Sequence, residues 1–185
     1  GKYFSVYQDI YDISKYGDYD VDCTTASSLL HLYLQSIGAK SDFYIPDRIT
    51  EGYGVSKKGI DYAAEIGAKL IITCDCGITA VPQTAYAQEK GIKTIITDHH
   101  IPDAILPAAV AILNPKQEKC EYPNKNLCGA GVAFKFTQAI SKARDLSSQQ
   151  SMQFMDLAAI GTAADIVQVT GENRVIVSEG LKLIS

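Results

Sequence analysis

The chain has 185 residues, of which 46% are hydrophobic and 21% are charged, and its formal net charge is −4. This length fits one domain or two small ones, and the hydrophobic content suffices for a buried core. The negative charge argues against a broad basic surface, but not against an enzyme whose catalytic aspartates are neutralised by metal. No apolar stretch approaches the ~18 residues that cross a bilayer, and residues 1–16 contain no signal-peptide core. We therefore expect a cytoplasmic protein without membrane contact.

The cysteines do not form a recognisable framework. They are odd in number and include no CxxC pair, which argues against both a set of disulfides and a structural zinc site. We interpret them as reduced, mostly buried thiols; they are Cys23, Cys74, Cys76, Cys120 and Cys128.

The order of elements predicts an α/β fold. Residues 1–16 are ambiguous, because Tyr3, Tyr7 and Tyr11 have helical spacing whereas a strand should precede the aspartates that follow. Beyond them, short β-branched runs alternate with helical patterns, which is typical of a parallel β-sheet flanked by helices. The expected strands are 39–45, 69–74, 93–97 and 109–113. The expected helices are 24–37, 56–66 and 81–90, followed by a helical segment with helices at 131–143, 151–162 and from about 171.

Three aspartates alternate with apolar residues near the start of the chain. In an extended segment Asp18, Asp20 and Asp22 would point to one side. At ~6.7 Å spacing, neighbouring carboxylates would repel by roughly 2 to 3 kcal/mol, and a bound divalent cation would turn that repulsion into affinity. A solvated acidic loop is the ordinary alternative. A calcium loop of the EF-hand type is excluded, because its required glycine and glutamate positions hold Cys23 and Leu29.

More candidate ligands follow predicted strands. Asp22, Asp75 and the run Asp98-His99-His100 come directly after such strands, and ligands of an open parallel sheet bind outside the carboxyl ends of its strands. These side chains should therefore meet at one edge. Asp75 alone would more often be a helix N-cap, so it gains weight only from its neighbours.

The two adjacent histidines should have different roles. His99 and His100 would point in different directions, so that one can bind metal while the other faces substrate. Asp98 could hold an imidazole in its ligating tautomer. His31 falls inside a predicted amphipathic helix and is interpreted as structural. Asp165 ends a helix of small residues, which usually means close packing but would also let that helix approach a metal centre.

Taken together, the motifs resemble those of the DHH phosphoesterases, in the same order along the chain. The glycine-rich stretch and the Glu-Gly-Tyr-Gly segment resemble specifically the RecJ branch, single-strand-specific exonucleases that work from the 5′ end. The resemblance covers roughly residues 12 to 185. It is carried by residues 17–22, 44–54, 75–77, 98–100, 127–134 and 161–165.

The resemblance implies two Mn²⁺ or Mg²⁺ ions that activate water for attack on a phosphodiester. It implies as metal ligands Asp20, Asp22, Asp75, His99 and Asp165, with Asp75 as the bridge. It also implies a catalytic His100 at the scissile phosphate, supported by Asp18 and Asp98. The implied substrate-binding residues are Arg48, His100, Gly129 and Gly131. For Arg48, a surface salt bridge with Asp47 or Glu51 is the alternative to phosphate contact.

The chain departs from the family pattern at Cys23, at Lys15 and Tyr16, and at Gln168, and the first of these bears on the site. Cys23 stands where the family usually has glycine. If that position requires a positive φ, cysteine would cost about 1 kcal/mol or more and could shift Asp22. The thiol could alternatively reach a metal ion and favour softer cations.

The resemblance also implies a domain organisation and a range of functions. Residues 1–185 would form the catalytic domain, with 171–185 as the start of a linking helix and a second, substrate-binding domain absent. The implied activity is 5′-to-3′ exonuclease action on single-stranded DNA that releases mononucleotides. A single-strand-binding protein or a helicase is the expected partner. The alternatives are a pyrophosphatase, a phosphodiesterase for short oligonucleotides or cyclic dinucleotides, and a non-catalytic replication or repair scaffold.

Overall fold

A computed structural model describes residues 13–16, 20–47 and 49–184, and for 13–16 the backbone alone. Five strands form one parallel sheet: β1 (Ile13–Tyr16), β2 (Ser41–Tyr44), β3 (Leu70–Cys74), β4 (Lys93–Thr97) and β5 (Ala111–Leu113). The helices are α1 (Val21–Ser36), α2 (Lys57–Glu65), α3 (Val81–Glu89), α4 (Gly129–Ala143), α5 (Gln149–Met152), α6 (Met155–Ala164) and α7 (Gly171–Ile184). The predicted α/β fold is confirmed, and the strand expected before the aspartates is β1.

The strand order creates a crevice next to the first strand. The order is β2-β1-β3-β4-β5, so the chain runs from β1 to one side and then crosses to the other. The helices that follow β1 and β3 therefore diverge, which makes the gap between these strands a topological switch point. Ligands of open parallel sheets bind at such points, beyond the carboxyl ends of the strands. The crevice lies where Asp20 and Asp22 follow β1 and Asp75 follows β3.

The central strands are buried on both faces, because side chains alternate between the two sides of a sheet. Leu70 and Ile72 of β3 pack into a core with α1, α4 and α6, whereas Ile71 packs into a second core with α2 and α3. All five residues of β3 are buried. The residues at the crevice therefore follow strands that are packed on both faces.

The turns after the first three helices agree with the sequence. Gly38, Gly67 and Gly91 have φ of 79°, 77° and 74°, the left-handed conformation that ends a helix at little cost to glycine. The predicted helix at 151–162 is wrong in detail, since the chain forms the short α5 and then α6. Within the part of the chain that the structure describes, no helix is long and apolar enough to cross a membrane.

Candidate metal centre

Asp22 is held by the beginning of another helix. It lies in the first turn of α1 and is 3% exposed. Its carboxylate accepts hydrogen bonds from the backbone N–H groups of Gly129 (2.6 Å) and Ala130 (2.8 Å), the first residues of α4. Free N–H groups and partial positive charge at that helix end compensate for the burial of the carboxylate.

The prediction that Asp18, Asp20 and Asp22 lie in one extended segment is wrong for Asp22, which lies in a helix. Helix α1 begins at Val21, three residues earlier than predicted, so Asp20 and Asp22 do not follow strand alternation. Asp20 is the N-cap, and its Oδ1 accepts a hydrogen bond of 2.7 Å from the backbone N–H of Cys23. Asp18 lies outside the described residues, and its supporting role stays a prediction.

Asp75 follows β3 in an unusual backbone conformation. Its φ is 58°, which is uncommon for a residue with a side chain and often marks functional sites. Its backbone N–H donates to the Thr97 carbonyl at 2.8 Å. Asp75 does not cap the following helix, because α3 has Ala80 as its N-cap. Burial, assisted by the charges of Asp22 and Asp20, raises the pKa of Asp75 to about 7.

His99 occupies the centre of the acidic cluster. Its Nε2 lies 3.0 Å from Asp75 Oδ1 and 3.7 Å from Asp22 Oδ2, and its Nδ1 lies 3.7 Å from Asp165 Oδ2. Burial alone would lower the pKa of His99, but the contact with Asp75 and the neighbouring carboxylate charges outweigh it and raise that pKa.

Two overlapping sets of possible ligand atoms share His99. Asp22, His99 and Asp165 form one set, and Asp75, His99 and His100 form the other, with the ligand atoms of each set within 4.8 Å of one another. Asp20 belongs to neither set among the described residues. Its charge nevertheless contributes to the raised pKa values of Asp75 and Asp165.

Asp98 orients the second histidine. Its Oδ1 lies 2.7 Å from His100 Nδ1 and accepts the backbone N–H groups of His99 and His100, while its Oδ2 accepts that of Ile78 at 2.9 Å. Burial would raise the pKa of Asp98, but these hydrogen bonds outweigh it and lower that pKa. The contact with Asp98 raises the pKa of His100, so the imidazolium is favoured. Asp98 thus holds His100 through the ring's Nδ1.

A buried asparagine supports the same loop and was not singled out from the sequence. Asn114 is 3% exposed, and its side-chain N–H donates to the His100 carbonyl at 2.8 Å. It follows β5 directly, so the strand-end rule that selected Asp75 and Asp98 would also have selected Asn114.

Asp165 reaches the cluster because α6 approaches α1 and α4 very closely. It is the C-cap of α6 and is partly exposed, and burial raises its pKa. At Gly161, one turn earlier, an added Cβ would lie 2.8 Å from Asp22 Oδ1 and 2.5 Å from Ala130 Cβ. The small residues therefore serve the approach to this centre, as the second interpretation of that helix expected.

The glycines at the start of α4 have a packing role in the structure. Both Gly129 and Gly131 are buried. A Cβ at Gly129 would overlap the Asp75 side chain, 2.6 Å from its Cγ, whereas a Cβ at Gly131 would approach Leu127 Cδ2 to 3.2 Å. Their contact with substrate stays a prediction.

Cys23 is not strained. It lies within α1, and its φ is not positive. The conditional expectation of a strained backbone at this residue is therefore wrong. Its thiol is fully buried and donates to the Cys74 carbonyl at 3.1 Å, and it belongs to neither ligand set.

His31 lies away from the metal-ligand sets. Its Nδ1 lies 3.4 Å from Ser41 Oγ, and its ring meets that of Phe43 edge to face, in keeping with a structural role.

The Glu-Gly-Tyr-Gly segment is organised around its glutamate. Glu51 accepts hydrogen bonds from the Tyr44 hydroxyl, the Ser56 hydroxyl and the backbone N–H of Asp47, and it lies 3.4 Å from Lys58 Nζ. Burial opposes ionisation, but these contacts outweigh it and lower the pKa of Glu51 to about 2. Arg48 lies outside the described residues, so its phosphate contact stays a prediction.

Comparisons with known proteins agree with this geometry. The model of the DHH family, N-terminal domain, matches residues 12–162. The chain belongs to the DHH family. The single-stranded-DNA-specific exonuclease RecJ of Bacillus subtilis (strain 168) is 47% identical over 167 residues, which cover 90% of this DHH chain and 20% of that protein. The chain spans 20% to 31% of the length of the curated relatives it matches.

Solved structures of RecJ proteins have the same fold as this DHH chain. An exonuclease RecJ bound to manganese superposes with a TM-score of 0.85 at 35% identity, covering 95% of this chain and 44% of that one. RecJ from Thermus thermophilus in complex with Mn²⁺ gives a TM-score of 0.81 at 30% identity, over 97% of this chain and 25% of that one. Its complex with Mg²⁺ gives 0.65 at 26% identity, over 97% and 21%. The predicted resemblance to the RecJ branch is confirmed.

Proposed function

We propose that this DHH chain is the catalytic domain of a metal-dependent phosphodiesterase that degrades single-stranded DNA. One observation carries the proposal. Asp22, Asp75 and His99 are buried at the carboxyl edge of the sheet and Asp165 closes the same group, so three carboxylates surround one imidazole. A cluster of buried like charges is unfavourable unless a cation binds there.

The side chains of the cluster fit a divalent metal. Carboxylate oxygens and imidazole nitrogens are ligands that Mn²⁺ accepts, and carboxylates suit Mg²⁺. His99 Nδ1 is buried and has no hydrogen-bond partner among the described residues, as expected for a nitrogen that serves as a ligand. Asp22, Asp75, His99 and Asp165 would hold the metal, with Asp20 beside them. Two such ions supply activated water and stabilise the attacking and leaving oxygens of a phosphodiester.

His100 would contact the phosphate of the substrate. It is about half-exposed, its Nδ1 is committed to Asp98, and its favoured cationic form attracts an anionic group. The Asp98–His100 dyad therefore places the positive charge of the imidazolium beside the acidic cluster, on the open side of the crevice. That arrangement positions the phosphate and can deliver a proton to the leaving oxygen.

DNA as the substrate is inferred from the relatives, which are named single-stranded-DNA-specific exonucleases. The proposal includes digestion from the 5′ end, release of mononucleotides and, for the whole protein, cooperation with a single-strand-binding protein or helicase in the cytoplasm. Residues 171–185 would begin the helix that leads to a substrate-binding domain.

End-labelled single-stranded DNA provides the direct test. We expect cleavage with Mn²⁺ or Mg²⁺, none with EDTA, and loss of cleavage in Asp75→Asn. The matched control is Asp145→Asn, which lies in a turn after α4, outside both ligand sets. Duplex DNA, pyrophosphate and cyclic dinucleotides should be poor substrates. Faster hydrolysis of pyrophosphate or a cyclic dinucleotide than of single-stranded DNA would contradict the proposed substrate.

This chain alone should bind long single-stranded DNA weakly. Affinity for a DNA backbone comes from several lysine and arginine contacts, and a net charge of −4 disfavours them. We expect cleavage that improves little with oligonucleotide length at fixed low salt. Tight binding that strengthens steadily with length would show that the chain carries its own DNA channel.

A further inference from the structure

The thiol of Cys128 occupies a structural position that the proposed reaction does not use directly. Cys128 is the N-cap of α4 and is fully buried, and its Sγ accepts a hydrogen bond of 3.3 Å from the backbone N–H of Gly131. The two N–H groups of that helix before Gly131 bind the Asp22 carboxylate. The cap therefore helps to set the position of the amides that hold a proposed metal ligand.

The same thiol connects α4 to α6. Its Sγ lies 3.4 Å from Thr162 Oγ1. Because the Thr162 hydroxyl donates its own proton to the Ala158 carbonyl at 2.7 Å, the thiol is the donor between the two side chains. Its proton therefore joins the start of α4 to Thr162 on α6.

Three helices that supply or hold metal ligands are joined at the start of α4, where Cys128 lies. Asp22 belongs to α1, its amide donors belong to α4, and Asp165 ends α6 three residues after Thr162. Gly161 lets α6 approach Asp22 closely. We propose that Cys128 is a positioning residue, which uses one acceptor and one donor function to hold Asp22 and Asp165 at the spacing that binds metal.

This inference rests on the proposed function, and Mn²⁺ binding tests it without reference to cleavage. Calorimetric titration of Mn²⁺ alone into the 185-residue chain would compare wild type, Cys128→Ala and Cys128→Ser. The control is Cys120→Ser, whose side chain lies in the loop after β5, away from the ligand sets. Loss of groups that orient metal ligands weakens binding by about 10- to 100-fold. We expect at least about a tenfold loss in Cys128→Ala and recovery to within about threefold of wild type in Cys128→Ser, since a hydroxyl also accepts and donates.

Melting temperature in EDTA separates this role from general stability. Cys128→Ala and Cys128→Ser should have similar melting temperatures without metal, whereas their Mn²⁺ affinities should differ clearly. Equal Mn²⁺ affinity in Cys128→Ala and wild type would overturn the inference, as would an equally large loss in Cys128→Ser. If Cys128→Ala does not fold, Thr162→Val decides, because it keeps the volume and removes the acceptor on α6; unchanged affinity there would also overturn the inference. A wild-type chain that binds no Mn²⁺ would instead contradict the proposed function.

Discussion

Replacing Gly129 by alanine gives a sharp test of how α4 and Asp75 fit together. The added Cβ would lie 2.6 Å from Asp75 Cγ and closer still to two other atoms of that side chain. Asp75 cannot withdraw easily, because its backbone has positive φ and its N–H is bonded to the Thr97 carbonyl. Gly131→Ala is the matched control in the same helix, since its closest contact is the end of the Leu127 side chain, at 3.2 Å.

The expected magnitudes follow from packing. Overpacking a close-packed site costs about 1–3 kcal/mol, and exchanging glycine for alanine in a helix returns at most about 1 kcal/mol. Because the added Cβ would overlap three atoms of Asp75, the upper part of the overpacking range applies, about 2–3 kcal/mol. The net loss in the free energy of unfolding for Gly129→Ala is therefore about 1–2 kcal/mol. At about 2–4 °C per kcal/mol for a domain of this size, the melting temperature should fall by about 2–8 °C. Gly131→Ala should melt at or slightly above the wild-type temperature.

Metal binding adds the functional readout. Displacement of Asp75 in Gly129→Ala should weaken Mn²⁺ binding at least about tenfold, whereas Gly131→Ala should bind nearly as wild type does. Thermal melts in EDTA and calorimetric Mn²⁺ titrations measure the two effects separately. If Gly129→Ala matched Gly131→Ala in both measurements, the close contact between α4 and Asp75 would be refuted.

Three further predictions concern protonation and the departure at Cys23. Because burial raises the pKa of Asp75 to about 7, Mn²⁺ affinity should fall as the pH drops below about 7. Without metal, the fold should lose stability as the pH rises from about 4 to about 7, by up to roughly 4 kcal/mol. Asp75→Asn should remove most of this slope in urea titrations, the remainder coming from Asp165 and His99, whose pKa values are also raised. Asp98→Asn should lower the pKa of His100 in an NMR titration and slow cleavage by about 100-fold, with Mn²⁺ affinity changed by less than about tenfold; an unchanged His100 pKa would contradict the dyad. Cys23→Gly should destabilise the chain by about 2 kcal/mol without raising activity, because it removes a buried helical side chain; faster cleavage would restore the strain hypothesis.

Much of the fold and the outline of the site follow from local patterns in the sequence. Alternation of β-branched runs with helical spacings predicted the parallel sheet, and glycines after three helices marked their ends because left-handed φ suits glycine. The strand-end rule selected Asp75 and the Asp98-His99-His100 run, since the carboxyl ends of parallel strands share one edge. These inferences depend on neighbouring residues or on topology, so no knowledge of packing was required.

Tertiary structure alone decided how each candidate ligand is held. The amides that bind Asp22 lie more than a hundred residues further along the chain, and only the packing of α4 against α1 brings them there. Packing also placed His99 between Asp75 and Asp165, and it brought α6 against Asp22 at Gly161. Such distances depend on the shapes of surfaces formed by several helices at once, and a pattern of residue types does not contain those shapes. Residue chemistry therefore determined which groups gather at this edge, and close packing determined their partners and spacing.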